Sequence, residues 1–86
     1  MKELLYFYLP GCPHCKLATA CLEQLQAESP EYAQITVKRI DESREKALSD
    51  RYDYWYVPSF WCGEQKLHEG HAELADVRRV LDRALE

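Results

Sequence analysis

The sequence predicts an α/β fold: a four-stranded mixed sheet flanked by three helices, with the element order β-α-β-α-β-β-α. Two observations predict it. Short apolar, β-branched or aromatic runs alternate with stretches whose apolar residues recur at helical spacing. The first strand, helix and second strand then form a parallel unit with a right-handed crossover, and the last two strands, separated by a short glycine turn, form a hairpin.

The chain length and composition limit the possible classes of protein. The 86 residues suffice for one small domain, which we expect to span residues 1–86. Hydrophobic residues make up 47% and charged residues of both signs 30%, which excludes disorder and low complexity. The net charge of −4 without a basic cluster argues against nucleic acid or an anionic membrane surface as a partner. We expect a monomer that binds neither.

The first two elements follow directly from the apolar pattern. The run Leu4–Leu9 is apolar and aromatic throughout and ends at a Pro-Gly pair, which favours a strand buried on both faces. Leu17, Cys21 and Leu25 then recur at i, i+4 and i+8. Ala18 and Leu22 lie beside them, and together these residues form the apolar stripe of a helix. Pro30 ends this helix, because the residue before a proline leaves helical space.

The remaining elements complete the predicted order. Ile35–Ile40 alternates and is β-branched, so it is the second strand, and a short helix follows as far as Tyr52. The third strand is Val57–Cys62, which opens with a proline, and the fourth is Gln65–Glu69 after a Gly-Glu turn. Leucine and valine at helical spacing from Leu74 to Leu85 predict a final amphipathic helix.

Two cysteines lie at the junction of the first strand and the first helix, in the motif Cys12-Pro13-His14-Cys15. The unpaired N–H groups and the positive end of the dipole at a helix N-terminus favour a thiolate, so we expect Cys12 to be the nucleophile. Pro13 is compatible with the first turn, where its missing N–H costs no hydrogen bond. Cys15 lies three residues on, so both sulfurs share one helix face and can form a disulfide, with Cys15 as the less exposed resolving thiol.

His14 lies between the two cysteines. If it is partly protonated, it adds a cation near Cys12, stabilises the thiolate and makes the disulfide a stronger oxidant. The alternative is an exposed histidine that only faces solvent.

The motif resembles the thioredoxin/glutaredoxin superfamily. The resemblance rests on Cys12-Pro13-His14-Cys15 after a buried strand and on Val57-Pro58 at the start of the third strand, and it covers nearly the whole chain. It implies a thioredoxin-like fold in which Pro58 is cis and faces the cysteine pair. It also implies that the backbone of Val57 pairs with an extended substrate.

The compactness and the short hairpin look more like glutaredoxin than thioredoxin. Gly11 stands where a thioredoxin has a tryptophan, and Tyr6 stands where it has a buried aspartate, which leaves the proton acceptor for Cys15 unassigned. The basic residue that often precedes the pair in glutaredoxins is absent. Their second glutathione anchor, a Gly-Gly followed by an acidic residue, is replaced here by Gly70-His71-Ala72-Glu73.

The other conspicuous side chains have competing interpretations. Trp55 and Tyr56 precede Val57 on the loop expected to border the disulfide, where they either dock a partner or simply pack. Alternation suggests that Tyr52 and Tyr54 pack inward. We expect four further residues to lie far from the reacting sulfurs. Cys21 is expected in the core and Cys62 as a distal thiol, and His68 and His71 are expected to lie away from Cys12.

The expected compartment decides how the cysteines are interpreted. The run Leu4–Leu9 is shorter than the roughly 7–15 residues of a signal-peptide core, so we expect a cytoplasmic protein. In a reducing cytoplasm a close cysteine pair is more often catalytic or metal-binding than structural.

The sequence therefore predicts a dithiol–disulfide oxidoreductase of cell redox homeostasis that works through Cys12 and Cys15. We expect no bound cofactor beyond their redox-active disulfide. The expected partners are protein or low-molecular-weight disulfides, with a flavin-dependent reductase or glutathione as the reductant. The alternative is a metal module in which the two cysteines bind zinc or an iron–sulfur cluster, although a zinc site usually needs four ligands. A redox subunit dedicated to one partner enzyme would use the same chemistry.

Overall fold

The computed structural model describes residues 3–86; the first two residues of the predicted domain 1–86 lie outside this range. Its four strands form one mixed sheet in the spatial order β2-β1-β3-β4. Their bounds are β1 Leu4–Tyr8, β2 Val37–Asp41, β3 Ser59–Cys62 and β4 Gln65–Glu69. β2 runs parallel to β1, whereas β3 is antiparallel to both β1 and β4. The predicted mixed four-stranded sheet is confirmed, with β4 at one edge.

The part of the chain that the structure describes contains four helices, one more than predicted. They are α1 Pro13–Glu28, α2 Pro30–Ala33, α3 Lys46–Ser49 and α4 Leu74–Leu85. The additional helix is α2. Ser29 is extended, with φ −125°, and so ends α1 as predicted. Pro30 then begins a new turn, because its fixed φ suits the first position of a helix.

Two strands begin later in the structure than the sequence predicted. The second begins at Val37, because the N–H of Ile35 donates to Tyr32 at 3.1 Å and continues the turn after α2. The third begins at Ser59, and Pro58 before it lacks the N–H that a strand ladder needs. The short helix α3 also ends at Ser49, before the predicted limit at Tyr52, where the chain passes into turns.

The core lies on both faces of the sheet, and β1 contributes to both. α1 and α4 cover one face, where Tyr6 stacks on Phe60 with ring centroids 4.7 Å apart. The other face is smaller. Its buried residues are Phe7, Ile40 and Trp61, with Leu48 of α3 packed against them.

The apolar stripe of α1 differs from the predicted one. Cys21 and Leu25 are buried as expected, as are Ala18 and Leu22, but Leu17 is 40% exposed. At 3.6 residues per turn Leu17 lies about 100° from the middle of the buried stripe, so the i, i+4 spacing placed it at the margin.

Substitutions in α1 test this assignment. We expect Leu22→Ala to lower the free energy of unfolding by about 2–5 kcal/mol, because it leaves a cavity in the core. Leu17→Ala, the same change on the same helix, is expected to change it by less than about 0.5 kcal/mol. Urea unfolding of the reduced proteins measures both, and equal losses would contradict the orientation of α1.

Candidate active site

The cysteine pair begins α1 directly above the end of β1. Cys12 occupies the N-cap position, and the N–H of Lys16 donates to its carbonyl at 3.0 Å in the first helical bond. Gly11 precedes it with φ +83°, a conformation that side chains other than glycine rarely adopt. The strand-to-helix junction therefore places both cysteines at the positive end of the helix dipole.

The two thiols differ in exposure. Cys12 is half-buried, whereas Cys15 is only 2% exposed. This is the arrangement predicted for a nucleophile and a resolving thiol.

The two thiols also differ in acidity. Burial opposes ionisation of Cys12, but the backbone N–H and thiol of Cys15 and the backbone N–H of His14 bond to its sulfur and lower its pKa. Burial raises the pKa of Cys15 to about 11, against a bond from the N–H of Leu9, and the neighbouring Cys12 raises it further. The pair therefore combines a thiol of lowered pKa with a thiol of raised pKa.

The peptide bond between Val57 and Pro58 is cis, as the resemblance implied. Pro58 is buried, and its carbonyl accepts the N–H of Gly70 at 2.9 Å. Val57 is half-buried, and within residues 3–86 its N–H and C=O have no backbone hydrogen-bond partner.

A family model described as thioredoxin matches residues 1–83. This chain belongs to the thioredoxin family. A search of curated proteins finds no match.

Solved structures show the same fold. A structure described as that of a malarial protein has a TM-score of 0.72 and 16% identity over 98% of this chain and 97% of that one. The thioredoxin of Malassezia sympodialis has a TM-score of 0.75 and 14% identity, covering 98% and 75% of the two chains. The germline-specific thioredoxin Deadhead of Drosophila melanogaster has 0.70 and 20%, covering 94% and 78%. The predicted thioredoxin-like fold is confirmed, whereas glutaredoxin-like specificity stays a prediction.

His71 contacts His14, a contact that the sequence did not predict. Its Nδ1 is 2.9 Å from Nδ1 of His14. That His71 lies away from Cys12 stays a prediction. The chain reverses after β4 at Gly70, with φ +89°, and carries His71 back toward α1. That His14 tunes the thiolate stays a prediction, since its ring nitrogen is directed to His71.

Tyr6 lies in β1 beneath the first turns of α1. Its hydroxyl donates to the carbonyl of Cys15 at 2.9 Å and lies 2.9 Å from Oγ1 of Thr19. Burial raises the pKa of Tyr6 to about 12, so it is a neutral phenol at physiological pH. It joins β1 to the first turns of α1 and supports the backbone under the buried thiol.

Glu42 is the charged group near Cys15 that sequence reasoning missed. It follows β2, its N–H donates to the carbonyl of Tyr8 at 3.0 Å, and its carboxylate accepts the hydroxyl of Tyr54. The negative charge of Glu42 contributes to the raised pKa of Cys15. No local pattern signals this proximity, because the parallel pairing of β1 and β2 creates it.

The aromatic loop before Val57 is exposed but anchored. Trp55 and Tyr56 are 85% and 70% exposed, so of the two interpretations packing is wrong for them. Both of their backbone N–H groups donate to the carboxylate of Glu69, the second at 2.9 Å. The carboxylate of Glu69 also forms an ion pair with the ammonium of Lys66 at 2.7 Å. The hydrogen bonds from Lys66 and from the two backbone N–H groups lower the pKa of Glu69 to about 2.

The tyrosines earlier in that loop pack inward as predicted. The rings of Tyr52 and Tyr54 lie 5.0 Å and 5.1 Å from the ring of Phe7. Of the remaining cysteines, Cys21 lies in the core as expected, and Cys62 is also buried.

The described residues, 3–86, contain no group of three or more histidine, cysteine or acidic side chains arranged to hold a metal ion. No helix in the same range has the length and apolar character to cross a membrane.

The acidity difference predicts selective alkylation. With a pKa of about 11, Cys15 is almost entirely protonated at pH 7, whereas the lowered pKa of Cys12 gives it the larger fraction of reactive thiolate. We expect iodoacetamide to modify Cys12 first in the reduced protein, with a rate that rises with pH, is half-maximal at the Cys12 pKa and levels off above it. Peptide mapping by mass spectrometry measures this. Comparable early labelling of Cys15 would contradict the assignment.

Proposed function

We propose that this thioredoxin-family protein is a dithiol–disulfide oxidoreductase that acts through Cys12 and Cys15. The observation that carries the proposal is the pairing of a partly exposed thiol of lowered pKa with a buried thiol of raised pKa at one helix N-terminus. Structural buried cysteines lack such a low-pKa, accessible partner, whereas nucleophilic cysteines need one.

The reaction proceeds in two exchanges. The Cys12 thiolate attacks one sulfur of a substrate disulfide, the substrate S–S bond breaks, and the departing thiolate takes a proton from solvent. Cys15 then loses its proton and attacks the Cys12 sulfur of the mixed disulfide. The second substrate thiolate leaves, and two electrons have passed from the protein to the substrate as the Cys12–Cys15 disulfide forms.

The structure supports an order for these exchanges. Cys15 stays protonated in the reduced protein in part because of the neighbouring Cys12 thiolate. Forming the mixed disulfide removes that negative charge, so the pKa of Cys15 falls when its thiolate is needed. Burial keeps Cys15 from attacking external disulfides, which leaves Cys12 as the only entry point of the pair.

An extended substrate segment fits the loop beside the pair. The unpartnered N–H and C=O of Val57 can form backbone hydrogen bonds with it, as strand addition requires. The exposed rings of Trp55 and Tyr56 offer apolar contact on the same loop, and their anchored backbone reduces the entropy lost on binding. We infer that protein disulfides in extended segments are the preferred substrates.

The sequence before Cys12 bears on which reductant regenerates the dithiol. Leu9, Pro10 and Gly11 supply no positive charge before Cys12, and the net charge of −4 does not attract an anionic tripeptide. A missing charge-assisted hydrogen bond costs about 1.5–3 kcal/mol. We therefore propose regeneration by a flavin-dependent reductase rather than by glutathione, in the cytoplasm and with the protein as a monomer.

Trapping experiments test the exchange mechanism. We expect Cys15→Ser to accumulate a mixed disulfide with a protein substrate, because attack still occurs but resolution does not. Cys12→Ser is expected to form none, and Cys21→Ala, the loss of a core thiol, to turn over like the wild type. Non-reducing electrophoresis distinguishes the three, and disulfide reduction by both active-site variants would refute the mechanism.

A coupled assay tests the reductant. The oxidised protein is offered to thioredoxin reductase with NADPH, or to glutathione with glutathione reductase and NADPH. We expect the faster turnover with thioredoxin reductase. Efficient, saturable reduction by low-millimolar glutathione with no response to thioredoxin reductase would establish glutaredoxin-like specificity instead.

Truncation of the loop aromatics tests the substrate surface. We expect Trp55→Ala to raise KM for a protein disulfide about tenfold or less, the usual cost of losing an aromatic interface contact, with kcat little changed. KM for a small dithiol-reactive disulfide should not change. The matched control is Leu17→Ala, which removes an exposed apolar side chain from α1, away from this loop. Equal effects of the two variants would exclude a specific docking role.

A further inference from the structure

A pocket on the α3 side of the sheet lies beside the cysteine pair. Its volume is about 330 Å³. Three segments line it: the turn after β2 with Glu42, helix α3 with Lys46, and the loop before Val57 with Trp55. The exchange reaction proposed above gives this pocket, here called the Glu42 pocket, no role.

The Glu42 pocket is close to both the buried thiol and the proposed substrate segment. Leu9 lines the pocket, and its N–H donates to the sulfur of Cys15. Trp55 also lines it and lies two residues before Val57, so the Cα atoms of these two residues are at most about 7 Å apart. A polypeptide paired with the backbone of Val57 therefore has side chains within reach of the pocket.

The charged side chains of the pocket leave an excess of negative charge. They are two carboxylates, Glu42 and Asp50, and one ammonium, Lys46. Lys46 already pairs with Asp50 at 3.3 Å. One oxygen of the half-buried Glu42 carboxylate accepts the Tyr54 hydroxyl, and the other has no hydrogen-bond or ion-pair partner within residues 3–86. A cation that enters the pocket can therefore pair with this oxygen.

The acidity of Tyr54 reflects the same negative charge. Burial and the hydrogen bond to Glu42 raise the pKa of this phenol, and the charges of Glu42 and Asp50 raise it further. Both carboxylates thus act on one wall of the pocket, which Tyr54 lines.

Aromatic rings supply the other contacts that a cation needs. Tyr52, Tyr54 and Trp55 line the pocket, and the faces of such rings attract ammonium and guanidinium groups. The rings of Tyr52 and Tyr54 pack on Phe7, and the N–H of Trp55 is held by Glu69. These walls are in place before a ligand binds, which reduces the entropy lost on binding.

We propose that the Glu42 pocket binds a basic side chain of the substrate polypeptide, arginine in preference to lysine, a few residues from the cysteine that is reduced. The proposal rests on the redox function proposed above and narrows its substrates to disulfides with a basic residue nearby. A planar guanidinium can bond to a carboxylate and stack on an aromatic ring at once, which suits it better than a compact ammonium.

Matched peptide disulfides test the proposal. Each substrate is a symmetric disulfide of an eight-residue peptide with one cysteine, and arginine, citrulline or glutamate occupies one position from three residues before the cysteine to three after it. Citrulline keeps the shape of arginine without its charge. Each rate of reduction by the protein is divided by the rate with dithiothreitol, which removes the effect of the peptide's charge on its own disulfide.

The ratio of the arginine rate to the citrulline rate measures the preference. At the best position we expect a ratio of about five, the scale of a partly exposed ion pair. The ratio should fall toward one at 1 M salt, where the Debye length is only about 3 Å.

Two variants separate the pocket from the overall charge of the protein. Glu42→Gln keeps the shape and an acceptor for Tyr54 but removes the charge, so the ratio should fall to about two or less. Glu45→Gln removes the same charge from an exposed residue just before α3 that does not line the pocket, and should keep the ratio near five. Because each ratio compares two peptides on one variant, any effect of Glu42→Gln on the reactivity of Cys15 cancels.

Equal rates for arginine and citrulline at every position, a preference for glutamate, or equal losses in Glu42→Gln and Glu45→Gln would overturn the proposal. Peptides with serine in place of cysteine give a second measurement, binding by isothermal titration calorimetry, that needs no redox reaction. If no peptide disulfide is reduced but arginine still binds in a way that depends on Glu42, the proposed function fails and the pocket assignment stands. Reduction of all peptides at one rate leaves the function standing and refutes the assignment of the pocket.

Discussion

The seating of α1 on the central strand β1 is the constraint on which the rest of the structure depends. One phenol, Tyr6, makes the connection: its ring is stacked in the core on Phe60, and its hydroxyl bonds to the carbonyl of Cys15. The helix start is therefore held at a defined height above the sheet. That height leaves the Cys12 sulfur partly exposed and the Cys15 sulfur buried. Burial raises the pKa of Cys15, whereas hydrogen bonds from Cys15 and His14 to the Cys12 sulfur lower the pKa of Cys12.

The group that bonds to the backbone of the buried thiol is a phenol. With a pKa of about 12, Tyr6 stays neutral through the working range. It holds the carbonyl of Cys15 by a hydrogen bond and leaves acid–base chemistry to other groups. Glu42, with its charge close enough to raise the pKa of Cys15, is the carboxylate that the fold brings near instead.

Much of the fold was predictable because its signals are local. The alternation of apolar runs with helical stripes gave the strand order in sequence, and the position of Cys12 before Pro13 gave the strand-to-helix junction. The errors arose where a local signal has two outcomes, as at Pro30, which ends one helix and begins another. The contact between His14 and His71 joins residues 57 positions apart, so no periodicity could reveal it. Glu69 was missed for the same reason.

The anchoring carboxylate of Glu69 makes the aromatic surface resistant to acid. Its pKa of about 2 in the folded protein lies below the ordinary value of 4.5, so its contribution is complete above the ordinary value and is lost only as pH falls toward 2. Mild acidification, to about pH 5, leaves the bonds to the backbone of Trp55 and Tyr56 intact. The acidity of its surroundings can therefore alter the thiol chemistry of this protein while the loop of Trp55 and Tyr56 keeps its shape.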